Sequence, residues 1–141
     1  MPDGVSGGRL LRYRSAAVDI EPARLKALLE ADGEFRRASR LWSGSFALAD
    51  EGGYVRIEVG RGQLESVDAG AGSPNADTVF KGPAEGWAKV FAPAPPPYYQ
   101  DLVGGAVGRH GFAMSGDTLQ MAAYYPAIQR AVRLAGQARG R

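Results

Sequence analysis

His110 is the one histidine in a chain that has no cysteine, so any nucleophilic or metal chemistry would have to be built around it. Its neighbours Ser115 and Asp117 supply the residue types of a Ser-His-Asp set, but a nucleophile and its base must lie within hydrogen-bonding reach. In a strand starting near His110, positions 110 and 115 differ by an odd number and project to opposite faces. Lack of cysteine removes thiol nucleophiles, disulfides and thiolate metal sites, and a lone histidine is a poor basis for zinc. The carboxylates are dispersed: Glu58 falls on the solvent side of a strand, Glu65 and Asp68 near a turn, Asp101 after a proline-rich stretch. No spacing pairs two of them as general acid and base. Gly60-Arg61-Gly62 leads into a strand and Gly70-Ala71-Gly72 into Ser73-Pro74, so neither aims a helix N-terminus at a phosphate. The expectation is no catalytic residue, no cofactor and no metal.

What stands out instead is apolar bulk in the second half of the chain: Phe80, Trp87, Val90, Phe91, Leu102, Val103, Phe112, Met114, Met121, Tyr124, Tyr125 and Ile128. At least half must be core. The set also includes adaptable methionine and amphipathic tyrosine. A cavity between a sheet and its helices would use these twelve residues to bind an apolar ligand, with tyrosine hydroxyls or Gln120 orienting its polar end.

The elements that would carry them can be read from periodicity. Asp19 is a candidate N-cap, followed by Pro22 in the first turn and Leu25, Leu28 and Leu29 at helical spacing. Gly33 should end or kink this helix, leaving a short second one. From Leu41 the period becomes two: Trp42, Phe46 and Leu48 oppose Ser43, Ser45 and Ala47, which reads as a half-buried strand. Asp50-Glu51-Gly52-Gly53 turns the chain into a second strand with Val55, Ile57 and Val59 inward, and Gly60-Arg61-Gly62 turns it into a third over 63–68. A short strand spans 76–82 and Pro83 opens a helix through Phe91. Residues 92–97 should form an extended, polyproline-like connector. Residues 98–107 suggest a short helix, and 111–116 a last strand.

Asp117 caps a final helix with Met121, Tyr124, Tyr125, Ile128, Val132 and Ala135 on one side, Arg130 and Arg133 on the other, and a bend at Pro126. Strands joined by short turns, with helices before, between and after them, predict an α+β domain. It has a five-stranded, largely antiparallel sheet with helices packed on one face, and the Trp87 helix and the last helix cover it.

Length and composition agree with one domain. The 141 residues carry a net charge of +2, which does not imply a nucleic-acid partner even though Arg9, Arg12 and Arg14 cluster near the start. Residues 1–17, rich in glycine and polar side chains, are expected to be a flexible tail, 18–136 the domain, and 137–141 a frayed end. The first twenty residues lack a signal-peptide core and no apolar run approaches the ~20 residues of a membrane span, so a cytoplasmic location without a transmembrane segment is expected.

Three segments in order, Ala76-Asp77-Thr78-Val79-Phe80, then Trp87-Ala88-Lys89-Val90-Phe91, then Phe112-Ala113-Met114-Ser115-Gly116-Asp117 before the amphipathic last helix, resemble the sterol carrier protein 2 (SCP2-like) family. The upstream strand Trp42-Ser43-Gly44-Ser45-Phe46 and its hairpin extend the resemblance over about residues 41–134. It implies a five-stranded sheet enclosing an apolar tunnel for sterols, fatty acids, acyl-CoA or other lipids, and no catalysis by the domain itself. Such domains also occur fused to, or associated with, enzymes such as hydrolases, sulfatases and acetyltransferases. The alternative is therefore an accessory or oligomerisation module with a partner enzyme or a second copy of itself as a homodimer. The sequence departs from the family pattern between Phe91 and Phe112, where a compact helical link is replaced by a longer proline- and glycine-rich segment.

Overall fold

The computed structural model describes residues 19–140. The tail expected over 1–17, with its three arginines, lies outside the described residues. Helix α1 (Pro22–Ala31) begins on a proline, whose missing N–H costs nothing in a first turn, and buries Leu25 and Leu29. Asp19 does not cap it: Glu21 holds that position without a side-chain bond, and the Asp19 carbonyl accepts from Gly140 N at 2.6 Å. The break expected at Gly33 comes one residue earlier. Asp32 takes an extended ψ of 112° and its carboxylate accepts from Phe35 N, capping α2 (Gly33–Ala38).

The five strands are β1 (Gly44–Ala49), β2 (Tyr54–Gly60), β3 (Gln63–Gly70), β4 (Thr78–Lys81) and β5 (Ala113–Gly116). They lie in the order β3-β2-β1-β4-β5, with every neighbouring pair antiparallel except the central β1–β4 pair. The β2–β3 hairpin turns on Arg61 (φ 52°) and Gly62 (φ 74°), the two positive φ values of a tight hairpin turn. A Cβ at Gly62 would lie 2.0 Å from the Arg40 carbonyl oxygen, so only glycine fits.

β1 is not half-buried, as alternation suggested, but buried on both faces from Ser45 to Ala49. Its helix side carries Phe46 and Leu48. On the other side Ala47 is flanked in register by Arg56 and Val79, and Ala49 by Tyr54 and Lys81, whose longer side chains cover the small ones.

The covering layer is broader than the two helices expected. α1 packs on β3, α2 on α4 (Thr118–Gln137), and α4 on β4, while α3 (Ala84–Val90) ties in through Trp87, whose indole N–H donates to the Ala49 carbonyl at 2.8 Å. Asp117 caps α4 through Gln120 N, and the helix kinks at Tyr124 (φ −116°, ψ 19°), two residues before Pro126, as a proline inside a helix requires. The side of α4 assigned to solvent is only partly so. Arg130 reaches the Asp32 carboxylate with two hydrogen bonds of 2.9 and 3.0 Å, and Arg133 donates to the Val90 carbonyl.

Residues 137–140, expected to fray, are held: Glu21 N donates to the Ala138 carbonyl at 2.8 Å and Ile20 bridges Arg139. The proline segment is not extended but bent. Tyr99 N closes a turn on the Pro96 carbonyl at 3.0 Å, with Pro97 at the second position and Tyr98 at φ 72° in the third. The helix expected after it is a single π-helical turn, Leu102–Ala106, capped by the Asp101 carboxylate.

Candidate ligand-binding site

The structure does not bring His110, Ser115 and Asp117 together as a catalytic set. His110 is exposed, with its ring 4.9 Å from that of Tyr99 and 5.8 Å from that of Tyr98. Ser115 pairs with Val79 on the face of the sheet away from the helices, and the Asp117 carboxylate accepts from Gln120. Among the described residues no three His, Asp or Glu side chains are grouped to hold a metal ion.

The twelve apolar residues divide into two sets. Phe80, Trp87, Val90, Phe91, Leu102, Phe112 and Ile128 are buried in one continuous core, while Val103, Met114, Met121, Tyr124 and Tyr125 are half-buried and pack against it. Within the core, Trp87 stacks on Phe91 (5.3 Å) and takes Phe112 edge-on (5.0 Å). At the other end Trp42, outside the sequence-derived set, is sandwiched between Phe46 (5.6 Å) and Tyr124 (4.9 Å). In the first half of α4, up to its kink, Gln120, Met121 and Tyr124 are half-buried, while Thr118, Leu119, Ala122 and Ala123 are exposed, Leu119 to 83%.

The polar groups offered for orienting a ligand are spent on the protein. Gln120 accepts from the Trp42 indole at 2.8 Å, and the Tyr124 hydroxyl donates to the Leu41 carbonyl at 3.1 Å. The Tyr125 hydroxyl bonds Asp101 and Gln129 and accepts from Val103 N at 2.8 Å. Burial, then the Asp101 hydrogen bond, pushes the Tyr125 pKa well above the usual tyrosine range.

Arg133, which helical periodicity assigned to the outer side of α4, is the next residue on this stripe, since 125, 129 and 133 are spaced by four and share a helix face. Its Nε is buried without a hydrogen-bond partner and, among the described residues, no carboxylate pairs with it. Desolvation lowers its pKa from the ordinary arginine value.

Of the open grooves among the described residues, two are lined partly by core side chains. One of about 510 Å³ runs between Leu29, Phe35 and Arg36 on the helices and Gly62 to Leu64 on the hairpin. The other, about 310 Å³, lies along Ala49, Val79, Lys81 and Ser115. Of the twelve residues only Met114 borders either groove.

This architecture is an α+β domain of the sterol-carrier fold. A crystal structure of sterol carrier protein 2 superposes with a TM-score of 0.69 over 90% of this chain and 98% of that one, at 21% sequence identity. A solution structure of a conserved hypothetical protein from Thermus thermophilus, described as a candidate sterol carrier protein, gives 0.66 at 23% identity, over 98% of this chain and 95% of its own. A third, the UbiJ-SCP2 ubiquinone synthesis protein, gives 0.51 at 15% identity, over 81% and 86%. No protein-family model matches the sequence, and no curated protein matches it. The likeness noted in the sequence therefore holds in three dimensions, as a shared fold. Among the described residues no helix is long and apolar enough to cross a membrane.

Proposed function

We propose that this chain is a non-catalytic, cytoplasmic carrier that binds an apolar small molecule, such as a fatty acyl chain or a sterol-like lipid, between its sheet and α4. The observation that carries the reading is the first half of α4. It is hinged by the kink at Tyr124, lined by the half-buried Met121, Tyr124 and Tyr125, and laid over a continuous apolar core.

The packed core is compatible with this role. An empty apolar cavity costs ~24 cal/mol per Å³, so one of about 300 Å³ would cost about 7 kcal/mol, as much as the stability of a typical domain. A carrier without ligand is better closed, and a ligand that parts α4 from the sheet replaces the contacts it displaces.

Arg133 supplies a polar anchor at one end of that space, because an anionic head group would satisfy its buried Nε. Native mass spectrometry of the purified chain should show a co-purified lipid, and a fluorescent fatty acid should bind and be displaced by oleate. Arg133→Met should weaken oleate about tenfold while leaving an uncharged sterol unchanged. Absence of uptake of fatty acid, acyl-CoA and sterol alike at roughly 100 µM would overturn the reading.

The second reading, an accessory module for a partner enzyme or a homodimer, is favoured by the similarity of fold to a protein named for ubiquinone synthesis. Light scattering of the isolated chain and co-purification with an enzyme separate it from the first.

A further inference from the structure

The segment 91–100 contributes only Phe91 to the candidate cavity set. Its ten residues carry no charge, and four of the five residues 93–97 are proline. Proline has no N–H to strip of water, so this backbone can leave bulk solvent at far lower cost than ordinary loop backbone. Pro93, Ala94 and Pro97 are exposed, and Tyr98 is 54% exposed.

The tip is held in shape: Tyr99 is buried and closes the turn on Pro96, and Tyr98 and His110 are both kept at positive φ. A rigid tip loses little conformational freedom on docking. Cations flank it. The Arg109 guanidinium lies 4.8 Å from the Tyr98 ring centre and Lys89 Nζ 5.3 Å from that of Tyr99, with the His110 ring against both tyrosines. Of the nearest carboxylates in sequence, Asp101 is engaged by the Tyr125 hydroxyl and Glu85 sits a turn before Lys89 at the start of α3.

An uncharged tip with poor hydrogen-bonding demand, tyrosine at its base and a collar of cations matches the interface of an anionic bilayer, where tyrosine bodies meet acyl chains and cations meet lipid phosphate. We propose that this tip docks the protein on anionic membrane surfaces. This goes beyond the cavity reading and stands without it, since docking is read from vesicle binding and the cavity from lipid uptake.

The test is co-sedimentation of the full chain with vesicles of phosphatidylcholine alone or with about 30% phosphatidylglycerol. Binding should appear only with the anionic lipid and weaken in about 0.5 M NaCl. Each cation contributes roughly five-fold to partitioning, so Lys89→Glu with Arg109→Glu should reduce it by more than about twentyfold, while Arg24→Glu on the exposed side of α1 should not change it. As a second readout, Tyr98→Trp should shift its emission to the blue on adding anionic vesicles. Equal binding to both vesicle types, no binding, wild-type binding by the double charge reversal, or capture by a polyproline-binding domain with no vesicle binding would each overturn the proposal.

Discussion

Phe112 and Gly86 form one packing unit, and its energetics can be worked from the geometry. Phe112 is buried edge-on against Trp87, and its ring lies so close to α3 that a Cβ added at Gly86 would be 2.6 Å from a ring carbon. Truncation by Phe112→Ala should cost about 3–5 kcal/mol. Gly86→Ala combines a helix-propensity gain of about 1 kcal/mol with an overpacking cost of about 1–3 kcal/mol, so alone it should be neutral to destabilising. With the Phe112 ring removed the severe clash is gone, and the gain is set only against a 3.3 Å approach to Pro83 Cγ, which a small shift relieves. The double variant should therefore be about 1 kcal/mol more stable than Phe112→Ala alone, a coupling of about 1–3 kcal/mol. Guanidinium unfolding followed by far-ultraviolet circular dichroism, with unchanged m-values, measures all four corners of the cycle. Additivity within about 0.5 kcal/mol would refute the argument that the ring is what keeps position 86 a glycine.

Two further predictions concern charge. The Arg130 hydrogen bonds hold the Asp32 pKa below its ordinary value of 3.8, against an opposing effect of burial. A folded pKa below the unfolded one stabilises fully above the unfolded value and is lost as pH falls through the folded value. The advantage of wild type over Arg130→Met, about 0.5–1.5 kcal/mol at neutral pH, should therefore shrink once pH drops below about 4, and an undiminished advantage in acid would contradict it. Tyr125 behaves oppositely: its folded pKa lies above the ordinary 10.0, so stability should be intact below that value and decline as pH rises beyond it. Tyr125→Phe should remove this part of the alkaline decline, checked by unfolding curves across the range.

The order of elements was legible in the sequence because it depends on local chemistry. Alternation in 54–59 marks β2, Pro22 and Pro83 mark helix starts, Asp117 caps α4 and Pro126 bends it, each an effect within a few residues. Fold class and the likeness to the sterol-carrier fold followed from that order. The apolar set was also legible as a set, since hydrophobicity is a property of residue type.

Which of those residues close the core and which leave a half-buried seam depended on how α4 lies on the sheet, and only tertiary structure decides that. The same holds for β1, whose alanines are buried by side chains of strands distant in sequence, and for Asp32, which caps α2 and receives Arg130 from 98 residues away. Gln120 and the tyrosine hydroxyls looked available to a ligand because a sequence shows donors and acceptors without their partners. Arg133 looked solvated for the same reason, and it is the fold that buries its Nε beside Val90. Local periodicity thus determined what the elements are, and long-range packing determined which polar groups are left for a ligand.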